Sequence, residues 1–127
     1  MFTIDRIDHV VLTVGDVERT VSFYERVLGM TTRRDPGRPV SVHFGNQKIN
    51  LHQVGRTFDP KARAPTAGSG DLCLITSAAM DDVARHLENQ NVEIEVGPVE
   101  RTGAAGPILS VYFRDPDQNL IEVSRYL

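Results

Sequence analysis

The feature that most constrains the fold of this chain is an internal repeat. Residues 41–44 (SVHF) recur as residues 110–113 (SVYF). After each copy comes a short polar turn and then another apolar segment, a pattern that is typical of a β-hairpin. The chain therefore predicts two copies of one supersecondary unit, and any fold assigned to it must accommodate both.

A strand and a helix precede the hairpin in each copy. Residues 7–14 (IDHVVLTV) and 71–76 (DLCLIT) are short and apolar, which predicts a strand at the start of each unit. The first helix has Asp16 as its N-cap and Gly29 as its left-handed C-terminal residue. Apolar residues at helical spacing predict the second helix over residues 80–87.

A further strand follows each helix, at residues 31–34 and 92–96, and Asn91 takes the place of Gly29. A unit of about 60 residues buries too little surface to be stable alone. The predicted fold class is therefore α+β, with two tandem βαβββ modules that form one cupped mixed sheet and carry helices on its outer face. We predict a single domain over residues 1–127, in which module one covers about 5–56, a linker loop 57–69 and module two about 70–127.

Composition and charge exclude several classes of protein. The 127 residues include 14 basic and 17 acidic ones, and a net charge of −3 lacks the basic footprint of a nucleic-acid-binding protein. The one cysteine, Cys73, excludes an intrachain disulfide and every zinc motif built on paired cysteines. We see no membrane-spanning run and no signal peptide, and therefore predict a cytoplasmic protein without a membrane partner.

Four predicted strands each carry one ionisable or metal-binding side chain among apolar neighbours. These residues are His9, His52, Asp71 and Glu122. In the repeat, His9 corresponds to Asp71 and His52 corresponds to Glu122. Because side chains alternate between the faces of a strand, a two-fold repeat can bring two such pairs to one point. We predict that the four residues converge.

Imidazoles and carboxylates that converge away from water need a counter-charge, because an unpaired buried charge is costly. We therefore predict one divalent metal ion (Ni, Co, Zn, Mn or Fe) that keeps one or two positions open for water or substrate. Taken singly, each residue also has a structural explanation, and Asp71 fits a turn residue after residues 68–70 (GSG). Without Asp71, the other three form a two-His, one-carboxylate set.

Short motifs spread over nearly the whole chain resemble those of a known superfamily. They are residues 7–12 (IDHVVL), 23–24 (FY), 28–30 (LGM), 113–117 (FRDPD) and 119–122 (NLIE). These motifs are similar to those of the vicinal oxygen chelate superfamily, which includes glyoxalases, bleomycin-resistance proteins and extradiol dioxygenases. A further set resembles the subgroup called glyoxalase domain-containing protein 5, namely residues 47–52 (QKINLH), 60–65 (PKARAP) and 97–103 (GPVERTG).

The resemblance implies paired modules around one metal ion, and often a homodimer. In this superfamily the metal chelates adjacent oxygens of the substrate and stabilises developing negative charge. Glu122 matches the metal-bound carboxylate that moves a proton beside a carbonyl in relatives similar to lactoylglutathione lyase. Those lyases usually have a carboxylate at the position of His52 and a histidine at that of Asp71, so the chain differs from them at both positions.

We therefore expect a metal-dependent lyase or isomerase that acts on a small, oxygen-rich substrate. The candidate substrate-binding residues are Asn50, Cys73, Arg101 and Thr102, each of which also fits a structural role on a strand, in the core or in a loop. Two alternatives stay open. One is a ferrous extradiol-type dioxygenase that uses the three-ligand set, and the other is a non-enzymatic protein that binds a drug, as bleomycin-resistance relatives do.

Overall fold

A computed structural model describes all residues from 1 to 127. In chain order the elements are β1 (His9–Val14), α1 (Val17–Leu28), β2 (Thr31–Arg33), β3 (Val40–Phe44), β4 (Gln47–Gln53), β5 (Asp71–Ile75), α2 (Met80–Asn89), β6 (Val96–Gly103), β7 (Gly106–Arg114) and β8 (Leu120–Tyr126). This order confirms the α+β class with tandem βαβββ modules. The hydrogen bonds divide the strands into two four-stranded sheets, one in each module, whereas the sequence predicts one continuous sheet.

The chain divides into two compact units, Met1–Ala67 (unit 1) and Gly68–Leu127 (unit 2). The boundary between them falls inside the predicted linker loop at residues 57–69. Each unit contains one complete βαβββ module.

In unit 1 the strand order is β1-β4-β3-β2. The first strand runs parallel to β4, and β3 is antiparallel to both of its neighbours. Helix α1 packs on this sheet. The fully or almost fully buried side chains of the unit 1 core are Val14, Val21, Tyr24, Val27, Val42, Ile49 and Leu51.

The two ends of α1 form as the sequence predicts. The side chain of Asp16 accepts a hydrogen bond from the backbone N–H of Arg19 at 3.0 Å, which satisfies one of the free donors of the first turn. Gly29 has a φ of 66°, and its N–H donates to the carbonyl of Glu25. After α2, Asn91 adopts the left-handed conformation with a φ of 58°, as expected from its correspondence with Gly29.

Unit 2 repeats the same plan with the strand order β5-β8-β7-β6. Here β5 is parallel to β8, and β7 is antiparallel to both β8 and β6. Helix α2 packs against β7. The buried apolar side chains of this unit are Met80, Leu87, Ile108, Val111, Phe113, Ile121 and Val123. Neither α1 nor α2 has the length and apolar character that crossing a membrane requires.

The third strand of the second module lies later in the chain than its sequence predicts. The prediction of a strand at residues 92–96 is wrong, because β6 begins at Val96 and continues to Gly103. This segment contains Pro98 and has few apolar residues, which obscures a strand pattern. It lies at the edge of its sheet, where proline is tolerated, and the register shifts between Val96 and Val99.

Candidate functional site

One face of the unit 1 sheet carries polar side chains, and we call it polar face 1. Thr13 lies beside His52 and Val11 beside Asn50 across the parallel pair of β1 and β4, so these side chains share a face. His9 lies on the same face but at the start of β1, four residues before Thr13. It is exposed, and its Nδ1 donates to the carboxylate of Asp8 at 2.9 Å.

The imidazole of His52 is enclosed on polar face 1. Its side chain is only 4% exposed, and the buried Nδ1 has no hydrogen-bond partner. Burial lowers the pKa of His52, Lys61 lowers it further, and Asp59 opposes both. The ring of Phe58 lies beside the imidazole with 5.6 Å between ring centroids.

A second unsatisfied atom lies on the same strand, two residues before His52. The side-chain oxygen of Asn50 is buried and accepts no hydrogen bond. Buried polar atoms in folded proteins are almost always paired, so two unpaired atoms at consecutive same-face positions indicate a place for a ligand.

The sheet of unit 2 also has one polar face, which we call polar face 2. Cys73 on β5 and Tyr112 on β7 both lie beside Glu122 on β8. Ser110 and Ser124 form the next row of the same face. The residues of polar face 2 are Cys73, Arg101, Ser110, Tyr112, Glu122 and Ser124.

A hydrogen-bonded chain centred on Ser124 links these side chains. The Ser124 hydroxyl donates to Oε2 of Glu122 at 3.3 Å. It also lies 2.6 Å from the hydroxyl of Ser110 and 3.4 Å from the sulfur of Cys73. Because a hydroxyl has a single hydrogen, Ser124 accepts from Ser110 and Cys73 when it donates to Glu122.

Two further groups on polar face 2 have raised pKa values. Burial raises the pKa of the Cys73 thiol, a hydrogen bond with Ser124 opposes the shift, and the carboxylate of Glu122 adds to it. Burial also raises the pKa of Tyr112; the nearby Arg101 opposes this shift, and the adjacent Glu122 adds to it. Both groups therefore stay protonated at neutral pH.

The structure connects some of the predicted site residues and leaves others apart. Glu122 and Cys73 belong to one hydrogen-bonded chain. Arg101 reaches it through Tyr112, to whose hydroxyl its Nε donates at 3.2 Å. Thr102 pairs with Pro107 on the opposite face, away from the other predicted substrate-binding residues. Asp71 is exposed at the start of β5, and neither unit by itself groups three His, Cys, Asp or Glu side chains that could hold a metal ion.

The sheet registers allow the two modules to be compared residue by residue. His9 pairs with Lys48 in unit 1, and Asp71 pairs with Leu120 in unit 2. If His9 corresponds to Asp71, as the repeat indicates, then Lys48 corresponds to Leu120.

Asn50, two residues after Lys48, therefore corresponds to Glu122, and His52, four residues after Lys48, corresponds to Ser124. The correspondence of His52 with Glu122 predicted from the repeat is thus displaced by two residues. A shift of two keeps every side chain on its face, so an alternating pattern alone cannot detect it.

Sequence reasoning did not identify Tyr112 as a neighbour of Glu122 on polar face 2. The repeat aligns Tyr112 with His43, which suggests only a core or wall position. The available signal was its alternation with Ser110 on a strand predicted to pair with the strand of Glu122, since cross-strand neighbours share a face.

Two βαβββ modules, each with a polar face opposite its buried core, define a protein of the glyoxalase fold. The chain belongs to the Glyoxalase/Bleomycin resistance protein/Dioxygenase superfamily, whose family model matches residues 6–123. It is 53% identical over 124 residues to Virulence protein STM3117 of Salmonella typhimurium, covering 98% of this chain and 86% of that protein. The crystal structure of that protein has a TM-score of 0.97 to this one, with 52% identity over 99% of this chain and 100% of that chain.

Two other relatives have names that state a domain or an activity. Glyoxalase domain-containing protein RDO1 of Mycosarcoma maydis is 48% identical over 120 residues, which cover 94% of this chain and 68% of that protein. Lactoylglutathione lyase of Salmonella typhimurium is 29% identical over 126 residues, which cover 93% of this chain and 90% of that protein.

Proposed function

We propose that this protein is a metal-dependent enzyme of the lyase or isomerase kind, in the glyoxalase domain-containing protein 5 subgroup, and that its substrate is small and oxygen-rich. The observation that carries the proposal is the environment of Glu122. Its side chain is half-buried, and its neighbours Ser124, Tyr112 and Cys73 are all uncharged. A bound cation would stabilise this carboxylate, because burying a charge without a partner is costly.

The proposed metal ligands come from His9, His52, Asp71 and Glu122, nitrogen and oxygen donors that suit a divalent transition metal. The register of β1 and β4 separates His9 from His52 by four residues, about 13 Å. One ion therefore takes only one of these two histidines, and we propose the buried His52. His52 fits this role because its buried Nδ1 lacks a hydrogen-bond partner. Its lowered pKa favours the neutral imidazole, which is the form that coordinates metals. When bound, the ion would polarise adjacent substrate oxygens and stabilise negative charge on them.

Glu122 is the proposed base. Its carboxylate accepts a proton from the carbon beside a substrate carbonyl and returns it to the neighbouring carbon. Ser124 orients this carboxylate by donating to Oε2, and Ser110 holds Ser124 in turn. The name of the lactoylglutathione lyase relative supports this class of reaction.

The first test is the metal content of the purified, untagged protein by elemental analysis. Three proteins are compared: the wild type, His52→Ala, and His86→Ala as a control on the exposed side of α2. We expect about one divalent transition metal per chain in the wild type and in His86→Ala, and little in His52→Ala.

The identity of the metal separates the alternatives. Nickel, cobalt, zinc or manganese supports the lyase or isomerase, whereas iron together with a requirement for O₂ favours a dioxygenase. Absence of metal from all three proteins after reloading contradicts the proposal and favours a protein that binds its ligand without catalysis.

A further inference from the structure

The guanidinium of Arg101 on polar face 2 is held in place from several directions. Its Nε donates to the Tyr112 hydroxyl at 3.2 Å, and Nη1 donates to the backbone carbonyl of Glu100 at 3.1 Å. The guanidinium carbon also lies 5.6 Å from the centroid of the Tyr112 ring, within the range of a cation–π contact. These contacts restrict a side chain that is ordinarily flexible.

None of these contacts neutralises the positive charge of Arg101. Arg34, Arg85 and Arg114 all form ion pairs with carboxylates at distances of 2.7 to 3.0 Å. The partners of Arg101 are a neutral hydroxyl, a backbone carbonyl and an aromatic ring. A guanidinium has five N–H donors in a planar fork, so several donors and the full charge stay available to a ligand.

The same tyrosine connects Arg101 to the proposed base. Tyr112 lies directly beside Glu122 across β7 and β8, and the Glu122 carboxylate helps to raise the pKa of Tyr112. Arg101 and Glu122 thus share one face of the unit 2 sheet, and a single phenol hydroxyl lies between them. A substrate whose reactive carbon is at Glu122 would have its other end near Arg101.

We propose that Arg101, positioned by Tyr112, binds an anionic oxygen group of the substrate, either a carboxylate or a phosphate. The inference rests on the proposed function in that it takes polar face 2 as the substrate site. It adds the substrate class: a small molecule with adjacent oxygens at one end and an oxyanion at the other. The planar fork of arginine matches both carboxylate and phosphate in a bidentate geometry.

The test is a titration of the isotope-labelled, full-length protein followed by NMR, in the presence of a chelator. The probes are lactate, its uncharged amide lactamide, and inorganic phosphate. We expect lactate or phosphate to shift the Nε–H signal of Arg101 and the signals of Tyr112. If the carboxylate is the recognised group, lactamide should bind about 10- to 100-fold more weakly than lactate. Tighter binding of phosphate than of lactate identifies a phosphorylated substrate class instead.

Variants separate recognition from folding. Arg101→Gln should abolish the preference for the charged probe, and Arg101→Lys should restore part of it, since the charge remains but the fork is lost. Tyr112→Phe keeps the ring and should reduce the preference without changing the melting temperature, as expected for a positioning residue. Arg125→Gln is the matched control, because Arg125 is exposed on the opposite face of the same sheet.

Equal binding of lactate and lactamide with no response to phosphate overturns the inference, and so does an unchanged preference in Arg101→Gln. Because these titrations use metal-free protein, they are independent of the metal analysis. If the protein contains metal but shows no preference for the anionic probes, the proposed function stands and this inference is wrong. If the protein prefers the anionic probes but binds no metal, oxyanion recognition by Arg101 stands and the proposed metal-dependent chemistry is wrong.

Discussion

The side-chain amide of Asn119 donates to Oδ2 of Asp115 at 2.8 Å, and its backbone N–H donates to Oδ1 of the same carboxylate at 3.0 Å. Both residues are almost completely buried. The Asn119 side-chain oxygen in turn accepts from the backbone N–H of Gly70 at 2.7 Å. The turn between β7 and β8 is thereby tied to the start of β5, which brings Cys73 and Glu122 into register.

Replacing Asp115 with alanine should destabilise the fold strongly. The substitution leaves the Asn119 amide and the backbone N–H groups of Asp117 and Asn119 without their acceptor. We expect a loss of about 2 to 4 kcal/mol in the free energy of unfolding, measured by urea denaturation. Asp5→Ala, in the exposed N-terminal segment, is the control and should change it little. If both variants lose a similar free energy of unfolding, the hydrogen bonds of the turn do not account for the loss in Asp115→Ala.

The two helices should respond in opposite ways to changes at their N-caps. Asp16 caps α1, whereas Ala79 precedes α2 in an extended conformation and offers no side-chain acceptor. Asp16→Ala should lower the free energy of unfolding by about 1 kcal/mol. Ala79→Asp should raise it by up to about 1 kcal/mol, because the new carboxylate satisfies free N–H groups and lies favourably at the helix N-terminus. Thermal denaturation measures both. A loss of stability in Ala79→Asp would contradict this explanation.

Two isoleucines of the unit 2 sheet test the assignment of its faces. Ile121 on β8 is fully buried, while Ile75 on β5 is 56% exposed on polar face 2. Ile121→Ala should lower the free energy of unfolding by about 2 to 5 kcal/mol, and Ile75→Ala should change it by about 0.5 kcal/mol or less. Chemical denaturation of both variants gives the comparison. A large cost at Ile75 would mean that this face is covered by something outside the unit.

The repeat, the helix ends and the alternation of faces were all accessible from the sequence, because each depends on local periodicity or on a residue with special backbone preferences. Asp16 and Gly29 illustrate this, since capping and a positive φ need only their own neighbours. The strand β6 was not accessible, because an edge strand with Pro98 has little apolar alternation.

The candidate site was predictable only in part, for a related reason. Alternation along a strand identifies which of its residues share a face, and the pairing of β5 with β8 places Cys73 beside Glu122. Alternation cannot fix the register between non-adjacent strands, so it misplaced His52 by two residues relative to Glu122. It also cannot reveal that Tyr112 connects Arg101 to Glu122, because side-chain reach depends on the actual pairing of β6 and β7.

Glu122→Gln should separate metal binding and proton transfer from folding. Glutamine keeps the size of the side chain and its hydrogen bond with Ser124, so the melting temperature should stay close to that of the wild type. The amide is a poor metal ligand, so the affinity for Mn²⁺ should fall. The amide is also not a base, so the rate at which deuterium from D₂O exchanges into hydroxyacetone should fall by about 100-fold or more. Electron paramagnetic resonance measures the first and NMR the second, with Glu88→Gln on α2 as the control. Deuterium exchange at the wild-type rate in Glu122→Gln would show that another residue is the base. Loss of exchange with an unchanged affinity for Mn²⁺ would show that Glu122 is the base but not a metal ligand.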